Sequence, residues 1–81
     1  MSRANTGEAT RRVRGQIGRR YIDASLLSVN VVGSVVHLTG VIRPLRTYPN
    51  VDLREEMEHI SKILKTSCGM REVVWDVTLR V

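Results

Sequence analysis

Residues 27–42, LSVNVVGSVVHLTGVI, decide the fold of this chain. Gly33 and Ser34 lie between two runs of β-branched residues, which is the pattern of a two-residue turn joining antiparallel strands. With those two residues in the turn, the predicted facing pairs are Val32 and Val35, Val31 and Val36, Asn30 and His37, and Val29 and Leu38. A shift of one residue would mix the apolar and polar faces. The sequence therefore predicts both the hairpin and its register.

The rest of the composition is that of one small globular domain. The chain has 81 residues, of which 42% are hydrophobic and 26% are charged. It has no apolar run long enough for a transmembrane helix, and residues 1–12 lack the apolar segment of an export signal. We therefore expect a cytoplasmic protein, either free or peripheral to a membrane. Cys68 is the only cysteine, so no internal disulfide forms, and we expect no metal and no cofactor.

The residues before the hairpin predict a first helix. We expect residues 1–5 to be disordered and Thr6 to cap the helix. The apolar stripe at a spacing of four consists of Ala9, Val13 and Ile17. Gly15 and Gly18 interrupt the helix, and we expect them to allow its close approach to the sheet.

The residues after the hairpin predict a second helix and a third strand. Asp52 and Glu55 have the spacing of a capping box, and Gly69 marks the end of the helix. The apolar stripe of this helix consists of Leu53, Met57, Ile60 and Leu64. The alternation in residues 72–81 predicts a strand, with these residues on the core face: Val73, Trp75, Val77, Leu79 and Val81.

This αββαβ order predicts one domain at residues 6–81, an α+β two-layer sandwich with both helices on one face of a three-stranded mixed sheet. A helix connects the second and third strands, which favours parallel pairing between them. The expected strand order is 1-2-3, and 2-1-3 is the alternative.

The segments SVNVVGSVVHLTGVI and GMREVVWDVTLRV resemble the BON domain family, over about residues 9–81. The resemblance implies the same αββαβ fold and a binding module, not an enzyme, that contacts phospholipid membranes or partner proteins. The resemblance assigns no binding residue, because the family motif marks the fold and its glycines, Gly33, Gly40 and Gly69, lie at turns. Three features differ from the family pattern: the absence of an export signal, the long connection with Pro44 and Pro49, and Trp75 in place of a small polar residue.

The net charge of +5 is concentrated at one end of the sequence. Residues 1–22 carry six arginines and one glutamate, whereas the charges of residues 23–81 balance. Such asymmetry indicates an anionic partner, a membrane surface or nucleic acid, and the alternative is a solubilising helix face. The candidate binding residues are Arg11, Arg12, Arg14, Arg19 and Arg20. The loop residues Arg43, Arg46 and Tyr48 either extend this basic surface or simply face solvent.

The uncovered face of the sheet is a second candidate surface. The residues predicted there include Val32, Val35, His37, Val41 and Val74. We expect the four valines to form a modest apolar patch for a partner protein or for a dimer, and edge strands offer a further route to either. Isolated exposed valines are common, which is the alternative interpretation.

No set of residues has the spacing of a catalytic centre. Glu55 and His59 lie one helical turn apart and would bind a metal only weakly. The GxxG within residues 14–19 is similar to the loop that clamps nucleic acid in KH domains, but the following elements do not have the KH order. We therefore predict a non-enzymatic BON-type binding module that contacts a partner protein or an anionic phospholipid membrane. The alternative is a small cytoplasmic nucleic-acid-binding domain that uses its arginine-rich first helix.

Overall fold

The computed structural model describes residues 2–80, with side chains from Gly7 onward. The elements are α1 (Ser2–Gly18), β1 (Ile22–Asp23), β2 (Leu27–Val32), β3 (Val35–Pro44), α2 (Leu53–Ser67) and β4 (Glu72–Leu79). The two helices pack on one face of a four-stranded sheet. The predicted α+β two-layer architecture is thus confirmed, with one short strand, β1, added to the predicted three.

The hairpin has the predicted register. β2 and β3 pair antiparallel, with Val31 opposite Val36 and Val29 opposite Leu38. Of the two turn residues only Gly33 has a positive φ, 60°, which is the pattern of a type II′ turn with glycine at its first central position. The turn thus sets a register that keeps the apolar side chains on one face.

β3 is the central strand of the sheet. It pairs antiparallel with β2 and parallel with β4, from Val35 opposite Glu72 to Ile42 opposite Leu79. The predicted mixed sheet and the strand order 1-2-3 are therefore confirmed. β1 was not predicted, because two residues are too few to show an alternating pattern. It pairs with the last two residues of β3, Arg43 and Pro44.

A bulge lies between β1 and β2. Ile22 and Leu27 are five residues apart, whereas their partners on β3, Pro44 and Gly40, are four apart, so one extra residue is accommodated. Gly40 has a φ of 113°, and a Cβ there would overlap the Leu26 carbonyl oxygen. Glycine at this position is what allows the strands to approach at the bulge.

The predicted helix boundaries are right for α2 and wrong for α1. The Asp52 carboxylate accepts hydrogen bonds from the backbone N–H groups of Arg54 and Glu55, at 3.1 and 3.2 Å, so Asp52 is the N-cap. Gly69, with a φ of 69°, follows the end of α2. α1 begins at Ser2, which places Thr6 inside the helix and not at its N-cap. Met1 lies outside the described residues.

The core lies between the sheet and the helices. Its helical residues include the predicted Val13, Ile17, Leu53, Ile60 and Leu64, and its strand residues include Val31, Val36, Leu38 and Ile42. Val73, Trp75, Val77 and Leu79 of β4 face the same side and are only partly buried; Val81 lies outside the described residues. The expectation for Gly15 and Gly18 is wrong, since both are exposed and no atom of the sheet lies within 4 Å of the position that a Cβ would occupy.

Candidate functional site

Arg20 joins the segment after α1 to α2. Its guanidinium donates two hydrogen bonds to the Glu56 carboxylate, from Nε to Oε1 and from Nη2 to Oε2, both 2.9 Å long. Glu56 is 6% exposed, and the hydrogen bonds from Arg20 hold its pKa below the usual value although burial opposes this. Arg20, predicted to bind a ligand, is therefore a structural residue in this geometry.

Two exposed tyrosines lie beside this ion pair. The ring centroids of Tyr21 and Tyr48 are 4.5 Å apart, and the Arg20 guanidinium carbon lies 5.6 Å from the Tyr21 centroid. The two side chains are 43% and 50% exposed. A groove of about 530 Å³ beside the rings is lined by Tyr21, Thr47, Tyr48, Pro49, Asn50 and Val51. The structure thus places an aromatic pair next to the arginines predicted from sequence.

A second groove, of about 410 Å³, contains three arginines. It is lined by Arg43, Pro44, Leu45, Arg46, Pro49 and Arg80. Arg43 is also ion-paired through Nε to Asp23 Oδ2, at 2.9 Å. The Asp23 pKa is lowered by hydrogen bonds from Ser25 and then by the bond from Arg43. Among the described residues, the side chains of Arg46 and Arg80 have no ion-pair or hydrogen-bond partner.

Arg80 is not among the residues predicted from the sequence. It follows β4, and its backbone N–H donates to the Ile42 carbonyl, at 3.0 Å, so the parallel register places it beside Arg43. Residues far apart in sequence meet here because a crossover helix returns the chain to β3. The predicted parallel pairing of the second and third strands was a signal that could have identified Arg80.

The other predicted arginines lie on or near α1. Arg11, Arg12, Arg14 and Arg19 are exposed. Arg12 makes a long surface pair with Glu8, at 4.0 Å, and Arg14 lines a cleft of about 180 Å³ between α1 and β2. The predicted arginines therefore form two groups. One group lies along α1. The other belongs to what we call the arginine–tyrosine end, which consists of Arg20, Tyr21, Arg43, Arg46, Tyr48 and Arg80.

Four of the residues predicted to form an interaction face do lie on the same face of the sheet. Val32, Val35, His37 and Val74 all lie on the side of the sheet away from the helices, with His37 opposite Val74. Val32 is 62% exposed, whereas Val35 and Val74 are partly buried. Polar neighbours such as Asn30 and Glu72 interrupt the valines, which leaves no continuous apolar patch.

The remaining sequence candidates have ordinary structural positions. Cys68 caps the end of α2 and is buried, and this burial raises the pKa of its thiol. Gly15 and Gly18 lie in α1, so the GxxG segment is helical and does not form a KH-type loop. Within residues 2–80, no three His, Cys, Asp or Glu side chains are grouped as metal ligands. Over the same residues, neither helix is both long and apolar enough to cross a bilayer.

Comparisons with protein-family models, with curated proteins and with solved structures find no match for this chain. The BON resemblance therefore remains a prediction from the sequence.

Proposed function

We propose that this protein is a non-enzymatic binding module of BON type that attaches to anionic phospholipid surfaces through its arginine–tyrosine end. The observation that carries the proposal is the groove lined by Arg43, Arg46 and Arg80. The proposed location is the cytoplasmic surface of a membrane.

The groove has the chemistry of a phosphate site. A guanidinium presents planar N–H donors that match the oxygens of a phosphate, and charge-assisted hydrogen bonds of this kind are the strong ones. Arg46 and Arg80 have no partner among the described side chains, and the Arg43 bond to Asp23 uses only its Nε. Donors therefore remain available in the groove for a lipid phosphate.

The exposed tyrosines support attachment to a membrane over binding to a single-stranded nucleic acid. Tyrosine favours the interfacial region of a bilayer, where its ring lies among the headgroups. A nucleic-acid base would instead need a free ring face on which to stack. Tyr21 already contacts both Tyr48 and Arg20, so part of its ring surface is occupied.

Sedimentation with vesicles tests the proposal. We expect the chain to bind vesicles that contain phosphatidylglycerol and not to bind vesicles of phosphatidylcholine alone. The bound chain should dissociate at high salt, because screening weakens surface electrostatics. Each arginine near an anionic surface contributes about 1 kcal/mol, so Arg46→Gln with Arg80→Gln should weaken binding about thirty-fold.

The matched control is Lys62→Gln with Lys65→Gln, which removes the same charge from exposed positions on α2. It should weaken binding far less. Equal loss in both double variants would show attraction by net charge alone and would contradict a site at the arginine–tyrosine end. Absence of binding at low salt, together with tight RNA or DNA binding in a gel-shift assay, would favour the nucleic-acid alternative.

A further inference from the structure

We propose that the outer edge of β4 and the adjoining surface of α2 bind an extended acidic peptide from a partner protein by strand addition. This site is separate from the arginine–tyrosine end. Trp75 on β4 pairs with Leu38 of β3, whereas Tyr21 precedes Ile22, which pairs with Pro44. Six residues along β3, about 20 Å, separate the two positions.

β4 is an edge strand with an open backbone. Among the described strands it pairs only with β3, over the uninterrupted register from Glu72 to Leu79. The N–H of Glu72 donates to the Ser34 carbonyl and that of Arg80 to the Ile42 carbonyl. Backbone N–H groups point alternately to the two sides of a strand. The N–H groups that point to the open edge of β4 are therefore those of Val73, Trp75, Val77 and Leu79.

Nothing in the sequence of β4 blocks this edge. Proteins commonly protect an edge strand with proline, with a bulge, with short length or with a charge that faces inward. β4 is eight residues long, contains no proline and has only apolar side chains on its core face. β2, at the other side of β3, has six residues and follows a bulge. β4 is therefore the better template for an added strand.

α2 leaves the core face of β4 partly uncovered. All four core-facing side chains of β4 are only partly buried, whereas Val36, Leu38 and Ile42 of β3 are 0% exposed. Beside them runs the β4 groove, of about 450 Å³, which is lined by Arg54, Met57, Glu58, Ser61, Lys62, Lys65 and Trp75. The Trp75 indole N–H donates to Ser61 Oγ, at 2.8 Å, and this bond fixes the ring in the groove wall.

The charges of the groove identify the occupant. Arg54, Lys62 and Lys65 outnumber the one carboxylate of Glu58, so the groove is basic around the apolar side chains of Met57 and Trp75. A symmetric dimer through β4 would bring two basic grooves together, which charge repulsion opposes. An added strand instead places alternate side chains in the groove. We infer a peptide with an apolar side chain flanked, two residues away on each side, by carboxylates.

The other face of the added strand restricts the sequence further. Asp76 of β4 is exposed on the open face of the sheet, and so is Glu72 at its start. The peptide side chains between the groove positions are therefore neutral or basic, because like charges in adjacent strands are destabilising. Along the peptide, acidic or apolar side chains that face the groove therefore alternate with neutral or basic side chains that face the open side of the sheet. This alternation distinguishes the proposed ligand from a peptide that is acidic at every position.

Selection from a random-peptide display library on the whole chain tests this proposal. We expect enrichment of the alternating pattern. Trp75 is the only tryptophan, so synthetic peptides of the selected sequences should change its fluorescence. They should also slow hydrogen exchange at the Val73 and Val77 amides. Lys62→Glu with Lys65→Glu should weaken binding at least about ten-fold, because both side chains line the groove.

The matched control is Arg11→Glu with Arg14→Glu, which makes the same charge change on exposed positions of α1 and should leave peptide affinity within about two-fold. Two outcomes would overturn the proposal: no peptide is enriched, or the enriched peptides bind both double variants equally and leave Trp75 fluorescence unchanged. Neither outcome depends on vesicle binding.

Discussion

Arg20 and Glu56, 36 residues apart in sequence, form a fork-to-fork ion pair with two hydrogen bonds of 2.9 Å. The Arg20 side chain is 23% exposed and the Glu56 side chain is 8% exposed, so the pair is largely shielded from water. It holds the segment that carries Tyr21 against α2. The position of the arginine–tyrosine end therefore depends on this pair.

Replacing both partners of the pair should cost less than the sum of the two single replacements. Arg20→Met leaves the Glu56 carboxylate buried without its cation, and we expect a loss of about 2–3 kcal/mol in the free energy of unfolding. Replacing both residues with methionine removes the two charges together. The double variant should therefore lose about 1–2 kcal/mol less free energy of unfolding than Arg20→Met and Glu56→Met lose in sum. Urea unfolding of all four proteins measures this coupling. Additive losses would contradict it.

Stability should fall in acid because of the same pair. The pKa of Glu56 is lowered in the folded state. Its ionised carboxylate therefore contributes fully to the stability of the fold above the unfolded-state pKa, about 4.3. This contribution is lost as the pH falls through the folded-state pKa. Asp23, whose pKa is also lowered, adds a decrease in the same direction. Glu56→Gln should show a shallower loss of stability below about pH 5 than the wild type. Parallel pH profiles from urea unfolding would refute this assignment.

Replacing Gly15 with alanine should stabilise the protein. Gly15 lies inside α1, is exposed and leaves room for a Cβ. Gly15→Ala should therefore increase the free energy of unfolding by about 1 kcal/mol, which in a domain of this size raises the melting temperature by about 4–8 °C. Calorimetry measures the shift. A lower melting temperature would mean that the glycine has a packing role absent from this structure.

The opposite result is expected at position 40. Gly40→Ala would place a methyl group on the Leu26 carbonyl oxygen in a backbone conformation that suits only glycine, so we expect a loss of about 3 kcal/mol or more. Gly33→Ala is the matched control, since Gly33 also has a positive φ but open space around it. Its cost should be about 1–2 kcal/mol. Equal costs at the two sites would contradict the close approach at the bulge.

The sequence predicted the parts of the fold that have a repeating pattern. The alternation around Gly33 gave the hairpin register, and the crossover through a helix gave the parallel pairing of β4. Glu56 was missed, although it lies three residues after Leu53 and four before Ile60, within the apolar face of α2. A charged residue in such a position indicates a buried partner, but nothing local in the sequence identifies Arg20 as that partner.

The candidate site was less predictable because it depends on contacts between distant segments. Arg43 and Arg46 were identified from charge alone, whereas Arg80 required the register of β4 on β3. Tyr21 and Tyr48 are 27 residues apart in sequence, and their contact follows from the pairing of β1 with the end of β3. No local pattern predicts a two-residue strand, so the aromatic pair could not be found before the fold was known.

Quenching of tryptophan by brominated lipid tests most directly whether the arginine–tyrosine end contacts the membrane. The wild type reports from Trp75 at the β4 groove, and Trp75→Phe with Tyr48→Trp moves the indole to the proposed contact. On anionic vesicles, we expect strong quenching of the indole introduced by Tyr48→Trp and little quenching of Trp75. Quenching of Trp75 without quenching at position 48 would contradict the proposed orientation, and so would no quenching of either protein when bound.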